Sequence, residues 1–457
     1  MKSVLIVSHN VLGGSTGMGK TLKTYFSDTE GITVHQFYIH SEVPVDDTIC
    51  TDYFRFTDSD ALKSRLPFTE KGTVFTQKDI NTDLDFSRTD RGAVGSVYQY
   101  GRKRTPAIFL LRNLVWKTAW WDTRKLREWV KKVSPDLVFF AAGDYAFTYE
   151  IAVKIADYAD CALVVLCTDD FFLREDKQEK TSGSGSLPKR KKAPRDGSIW
   201  KNISNEYFMS AVHRTMKRAE CILCMCDEMS DRYKALFKKK TYTIYTGAVE
   251  RDVLPKEKEN HMISYVGYLG GNRHKSLIEL GDAVSRLELG DGPCEIEVYS
   301  NEKRPQILSE LNQAQGIRFH GEADPQKASE VIAESEYVVH VEGFDPESRK
   351  VVRYSISTKI ADYLMNGPCI IAYGPKEVAS TRYLSDNGAG VVITAREALE
   401  EKLAEIFTDR KEREGIVKNA RSLAHKNHEM KKVGERINKI LSLAVDSYSK
   451  KRNGGCK

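Results

Sequence analysis

The sequence lacks any apolar run near the ~18 residues that a membrane-crossing helix requires. Its most hydrophobic stretches, DLVFFAAG at 136–143 and CALVVLC at 161–167, are strand-sized. Charge of one sign is also scarce: 70 Lys and Arg against 64 Asp and Glu leave +6 over 457 residues, too little for a dedicated nucleic-acid binder. The amino-terminal MKSVLIVSHN has one lysine, a short apolar run and no cleavage-type site, so it reads as a first strand and not as a secretory signal. A cytoplasmic protein is the expectation, with the inner face of the membrane as a variant. Nine cysteines, an odd number in a long chain, fit a reducing compartment and argue against a disulfide framework. Cys221, Cys224 and Cys226 cluster in CILCMC, but no second Cys or His pair stands nearby at ligand spacing. Buried core thiols are therefore expected there, and no metal site.

The chain does contain a long alternation of short β-rich runs and helix-like segments. SVLIVSH (3–9), DLVFFAA (136–142), CALVVLC (161–167), CILCMC (221–226) and YTIYT (242–246) form a first series. MISYVG (262–267), EIEVYS (295–300), IRFHG (317–321), YVVHV (337–341), CIIAYG (369–374) and GVVIT (390–394) form a second. Such alternation predicts parallel sheets covered by helices on both faces, and 457 residues is too many for one core. The polar, lysine-rich AVERDVLPKEKENH (248–261) is the expected boundary. Residues 40–105 read as an irregular insertion decorating the first sheet. Residues 174–198 read as a flexible loop whose KRKK (189–192) is either a solvated surface run or a basic flap for peripheral membrane contact. Near the carboxyl end, Val433, Ile437, Ile440, Leu441 and Ala444 fall on one helical face, which predicts a long amphipathic helix packed on the protein.

The stretch LGGSTGMGKT (12–21) satisfies G-x-x-x-x-G-K-[ST], with Gly14, Gly19, Lys20 and Thr21 in the fixed places. A phosphate-cradling loop would have to follow its strand at once, yet Asn10 to Gly13 intervene after Ser8 and His9. The glycines suit equally well a turn after the first strand of an open sheet, where a ligand approaches the backbone and a helix points its amino terminus at it. On that reading Lys20 and Thr21 merely open an exposed helix, Thr21–Phe26.

SISTKIADYLMNGPCIIAYGPKEVASTRYLSDNGAGVVI (355–393) resembles the nucleotide-sugar-binding core of GT-B glycosyltransferases, in particular the large retaining group called family four, or glycosyl transferases group 1. Asp362, Gly367-Pro368, CIIAYG and Asn387-Gly388-Ala389-Gly390 stand in the places of that family's acidic helix, turn, strand and second glycine loop. ISYVGYLGGNRHKSLIEL (263–280) resembles the first strand, turn and helix of the same domain, and IRFHGEADPQKASEVIAESEYVVHV resembles the segment beside the nucleotide base. The resemblance implies an α/β GT-B architecture of two Rossmann-like doubly wound domains facing across a cleft, with a carboxyl-terminal helix packing back toward the first. Residues 1–250 would form the acceptor domain, 260–425 the nucleotide-sugar domain, and 426–457 the crossover helix and tail.

It further implies transfer of a sugar from a nucleotide diphosphate to a hydroxyl acceptor, with retention, in a setting such as bacterial surface polysaccharide synthesis. Ribose hydroxyls suit a carboxylate, the role given to Asp362, while the diphosphate suits cations and helix N–H groups. Lys275, with Arg273 nearby, is the first phosphate candidate, and the Ser357-Thr358-Lys359 helix start is the second. Gly14 and Gly321 complete the donor side; Gly13 and Asp170 belong to the acceptor side. Asp144, after LVFFAAG, is either catalytic or the N-cap of the next helix. The family's second acidic residue falls on Tyr354 here, so Glu342 in VEGFDPES is the carboxylate assigned to the donor sugar, with Asp345 and Glu347 as alternatives. No cofactor is required; the donor would be a UDP-sugar or a GDP-sugar, and the partner a saccharide or lipid-linked acceptor. The rival readings are a P-loop NTPase or kinase using Gly14–Thr21, a nucleotide-sugar epimerase of the same fold, and a non-catalytic binder.

Overall fold

The computed structural model describes residues 1–14, 16–44, 48–66, 71–80, 106–172, 199–250, 261–289 and 292–454. The chain divides into two compact units, one of Met1–Ile244 with Gly434–Lys457, the other of Tyr245–Val433.

Unit 1 is built on eight strands: β1 (Lys2–Ser8), β2 (Ile32–Tyr38), β3 (Cys50–Arg55), β4 (Thr73–Thr76), β5 (Leu137–Ala141), β6 (Ala162–Cys167), β7 (Cys221–Cys224) and β8 (Lys240–Thr243). They lie in the order β4-β3-β2-β1-β5-β6-β7-β8, parallel except where β4 runs antiparallel to β3. Every residue of LVFFA in β5 and ALVVLC in β6 is buried, as a strand covered on both faces demands. The cysteines of β7 are buried, and burial pushes the Cys221 thiol up to about 12. Among the described residues no group of His, Cys, Asp or Glu is arranged to hold a metal ion.

Unit 2 holds β9 (Ile263–Val266), a short hairpin of β10 (Glu288–Leu289) and β11 (Gly292–Pro293), then β12 (Ile296–Tyr299), β13 (Ile317–Gly321), β14 (Tyr337–Val341), β15 (Cys369–Tyr373) and β16 (Val391–Ile393). Its six-stranded parallel sheet has the order β13-β12-β9-β14-β15-β16. In both sheets the order reverses beside the first strand, between β1 and β5 and between β9 and β14. Such reversals open a crevice at the carboxyl ends of the strands, where ligands bind in open α/β sheets.

Three segments depart from the sequence reading. β3 and β4, with β2 beside them, extend the first sheet through residues 32–76, where the sequence suggested an irregular decoration from 40 onward; residues 81–105 lie outside the described residues. The last strand of the first series is Lys240–Thr243 and not YTIYT. The carboxyl-terminal helix is two helices, Arg410–Asn427 and Met430–Gly454. Val433, Ile437, Ile440, Leu441 and Ala444 are all buried, and Gly434 sits so close to the Asp28 carbonyl that a Cβ would lie 2.2 Å from it. The basic loop 174–198, with KRKK, and residues 251–260 of the boundary segment also lie outside the described residues. No helix among the described residues is long and apolar enough to cross a membrane.

Candidate active site

In unit 2, β9 ends at Val266 and is followed by Gly267, whose φ of +154° favours glycine and whose Cβ position would lie 2.0 Å from Lys359 Nζ. The loop then turns through Gly271 (φ +65°) and Asn272 (φ +55°) into the helix Arg273–Ser285. Across the crevice, β14 leads directly into Glu342, and the next residue, Gly343, packs so tightly that a Cβ would lie 2.3 Å from the Gly271 carbonyl. Asn272 Nδ2 donates to Asp345 Oδ2 at 2.7 Å, and Asp345 also caps the helix Pro346–Val352 by accepting from the Ser348 N–H. The two loops are thereby fixed to each other.

This scaffold presents Arg273 to Glu342. The guanidinium donates from Nε to Oε2 at 2.9 Å and from Nη2 to Oε1 at 3.1 Å, a two-pronged ion pair, with the Glu342 side chain only 3% exposed. Ser276 Oγ donates to the Glu342 carbonyl at 2.8 Å. Lys359, in the first turn of the helix Thr358–Asn366, sits with its ammonium 4.7 Å over the Tyr265 ring. Burial, and then the Arg273 charge, lower its pKa to about 7, against the pull of Glu342. His340, the fourth residue of β14, is buried with Nε2 3.5 Å from Glu342 Oε1 and without a hydrogen-bond partner. Burial and the charges of Lys359 and Arg273 keep it neutral. One carboxylate is thus surrounded by a guanidinium, an ammonium and an imidazole.

Of the predicted donor-side residues, Arg273, Glu342 and Lys359 are brought together. Lys275 is not: two residues beyond Arg273 on the same helix it projects to solvent, because i and i+2 face different ways. Thr358 and Asp362 are exposed, and Asp362 lies one turn beyond Lys359 on the same face of the helix. Gly321 ends β13 with a φ of +86° and open space where its Cβ would be.

In unit 1 the glycine turn uses its own amides. Gly13 N–H donates to the Gly19 carbonyl at 3.0 Å and Gly14 N–H to the Val11 carbonyl at 3.2 Å. Leu12 N–H is taken by Gln36 Oε1 and Gly19 N–H by Thr16 Oγ1. A Cβ on Gly19 would lie 2.5 Å from the Val11 carbonyl and one on Gly14 2.7 Å from Val11 Cγ1, so these glycines let the turn fold onto its helix. That helix begins at Gly17, before Lys20, and Thr21 is 2% exposed inside it. The helix expected to open at an exposed Thr21 is corrected accordingly, and a phosphate cradle on Gly13 and Gly14 lacks its donors. Asp144 stands half-buried after β5; the N-cap of the following helix is Tyr145, which corrects the capping alternative. Asp170 is buried and accepts from the Tyr233 hydroxyl at 3.2 Å.

The sequence reading passed over a cluster at the β1/β5 crevice. Arg112 donates to Asp58 and to His9 Nε2, both at 2.9 Å, and lies 4.0 Å over the Tyr145 ring. Since a guanidinium only donates, His9 accepts at Nε2 and carries its proton at Nδ1, facing Asn10 Oδ1. Burial and the Arg112 charge hold it neutral, with its pKa lowered to about 4. The single polar residue in YVVHV was the available signal for His340; for Arg112 there was none.

A family described as "Glycosyl transferase-like" matches residues 283–440. No curated protein matches the chain by sequence. Solved structures match over nearly the full length. HepE of Anabaena, solved in complex with UDP, is 13% identical, with a TM-score of 0.55 covering 97% of this chain and 100% of that one. Sucrose-phosphate synthase from Thermosynechococcus elongatus is 11% identical, with a TM-score of 0.59 over 98% and 100%. The UDP-forming trehalose-phosphate synthase of Burkholderia xenovorans is 9% identical, with a TM-score of 0.56 over 96% and 100%. The second unit thus carries a glycosyl transferase-like match, and the chain as a whole has the GT-B fold of these glycosyltransferases.

Proposed function

We propose that unit 2 binds a nucleotide-diphosphate sugar at the β9/β14 crevice and that unit 1 supplies the acceptor side. The observation that carries this reading is the gathering of Arg273, Lys359 and Glu342 at the carboxyl ends of β9 and β14, beside Gly267. Arg273 and Lys359 hold the diphosphate, a bidentate fork and a point charge respectively. Asp362 accepts from the ribose hydroxyls, Gly321 lets the base approach the backbone, and Glu342 faces the donor sugar once the diphosphate competes for Arg273. As the glycosidic bond breaks, negative charge grows on the leaving diphosphate, and the two cations stabilise that charge more strongly than the ground state. The donor favoured is a UDP-sugar, since HepE is solved with UDP-glucose as well as UDP, with a GDP-sugar as the alternative. The acceptor is the hydroxyl of a saccharide or lipid-linked saccharide, with Asp144 as the candidate catalytic carboxylate of unit 1 and retention as the expected outcome.

Thermal stabilisation by UDP, GDP and their sugars, without magnesium, tests the reading. A ligand at ~100 times its dissociation constant adds about 2.7 kcal/mol to the folded state. Stabilisation lost in Asp362→Ala and Lys359→Met supports it; stabilisation by none of these ligands overturns it.

A further inference from the structure

The loop that leaves β1 in unit 1 is pinned at its backbone. The Asn10 carbonyl accepts from Ser8 Oγ at 2.7 Å and from Gln36 Nε2 at 3.0 Å, and the buried Gln36 also takes the Leu12 N–H. Asn10 is thereby held at the carboxyl end of β1, beside the β1/β5 reversal where open α/β sheets take their ligands.

Its side chain is turned by a series of hydrogen bonds that starts in the core. Trp116, wholly buried and stacked on Phe147 at 4.5 Å, donates from Nε1 to Asp58 Oδ1 at 2.7 Å. Arg112 Nε donates to the same oxygen, and Arg112 Nη2 donates to His9 Nε2, both at 2.9 Å. A guanidinium has no acceptor and keeps its protons. The neutral His9 therefore carries its proton on Nδ1 and donates it to Asn10 Oδ1 at 3.1 Å. That leaves the carboxamide one way round, with its oxygen toward His9 and its NH2 group away from it. Asn10 is half-buried, and among the described residues its Nδ2 has no hydrogen-bond partner. The charge of Arg112 is spent on Asp58 and His9, so this end of the crevice offers a preorganised neutral donor. A neutral N–H suits the oxygen of a sugar hydroxyl; a phosphate or carboxylate would call for a cation.

We propose, resting on the reading that unit 1 takes the acceptor, that Asn10 Nδ2 binds an oxygen of a saccharide acceptor, with His9, Arg112 and Asp58 as positioning residues that set the direction of its amide.

Two measurements on the full-length protein test this. With histidine labelled by nitrogen-15, one residue, identified by its absence from His9→Gln, should be protonated at Nδ1 and bare at Nε2 near neutral pH. Arg112→Met should move that proton to Nε2 while the other histidine signals, which report the fold, stay in place. UDP release from UDP-glucose, stimulated by the methyl glycosides of glucose, galactose or mannose, reads the acceptor side. Asn10→Asp keeps the shape but loses the NH2 group. It should raise the KM of the active glycoside about tenfold, the loss expected of one hydrogen bond, with little change in kcat. Arg112→Met should do the same, and calorimetry should find UDP affinity unchanged in both. If UDP binds the parent, then His9 protonated at Nε2, an unaltered KM in Asn10→Asp, or no stimulation by any glycoside overturns this proposal alone. Absence of UDP binding by the parent overturns it together with the reading of unit 2.

Discussion

Arg273 and Glu342, 69 residues apart in the chain, close a two-pronged ion pair at the reversal point of the second sheet. Glu342 is almost wholly buried, and that guanidinium is its two-pronged partner. Arg273→Ala should cost about 3–5 kcal/mol, the usual consequence of leaving a buried charge unpaired. Arg273→Lys keeps the charge but not the fork and should fall between. Urea midpoints measure the stability, and UDP-glucose binding by calorimetry should be lost in the alanine variant. A parent-like midpoint for Arg273→Ala would show that the pair is dispensable.

Lys359 gives a pH dependence of defined sign. Its folded pKa of about 7 lies below the unfolded value of ~10.4. Between those values the unfolded chain holds more protons, so stability should rise as pH rises through that window, and the cost of burying the ammonium is fully present below it. Donor affinity should move the other way, falling above about pH 7 as the ammonium needed by the diphosphate is lost. Both trends should disappear in Lys359→Met, which titration calorimetry and melting curves across pH would reveal.

Gly267→Ala should act on the same lysine. The new Cβ would lie 2.0 Å from Lys359 Nζ, on a backbone with φ of +154°. The flexible lysine end yields first, so at least about a tenfold loss of donor affinity is expected, with a smaller effect on melting temperature. Unchanged donor affinity would separate Lys359 from the site.

Lys20→Ala should change neither donor binding nor turnover, because Lys20 is exposed and the Gly13, Gly14, Gly19 and Lys20 amides are used within the turn. Mg-ATP should give no thermal shift in either form. A shift that vanished with Lys20 would restore the P-loop reading.

Most of the parallel sheet was legible because buried strands read as unbroken apolar runs, and GT-B followed from the motif in 355–393. β2 escaped because ITVHQFY carries His35 and Gln36, both buried. Gln36 satisfies Leu12 N–H and also donates to Ser8 Oγ, an arrangement no period-two count detects. Glu342 could be named from the acidic run VEGFDPES once the family's position fell on Tyr354, but its partner could not. Choosing Arg273 over Lys275 requires the rotational phase of a helix relative to a strand from a different part of the chain. Local spacing does not contain that phase.

The helix that completes unit 1 has a consequence for biosynthesis. Residues 434–457 belong with 1–244, and their buried face, Ile437, Ile440, Leu441 and Ala444, covers apolar surface that is otherwise open to water. On the ribosome the first half emerges first but stays unsealed until the last turns are made, whereas Tyr245–Val433 is continuous and can close as soon as it is released. The order of synthesis and the order of completion are therefore opposite, and the nascent first unit is the part of this chain most in need of a chaperone.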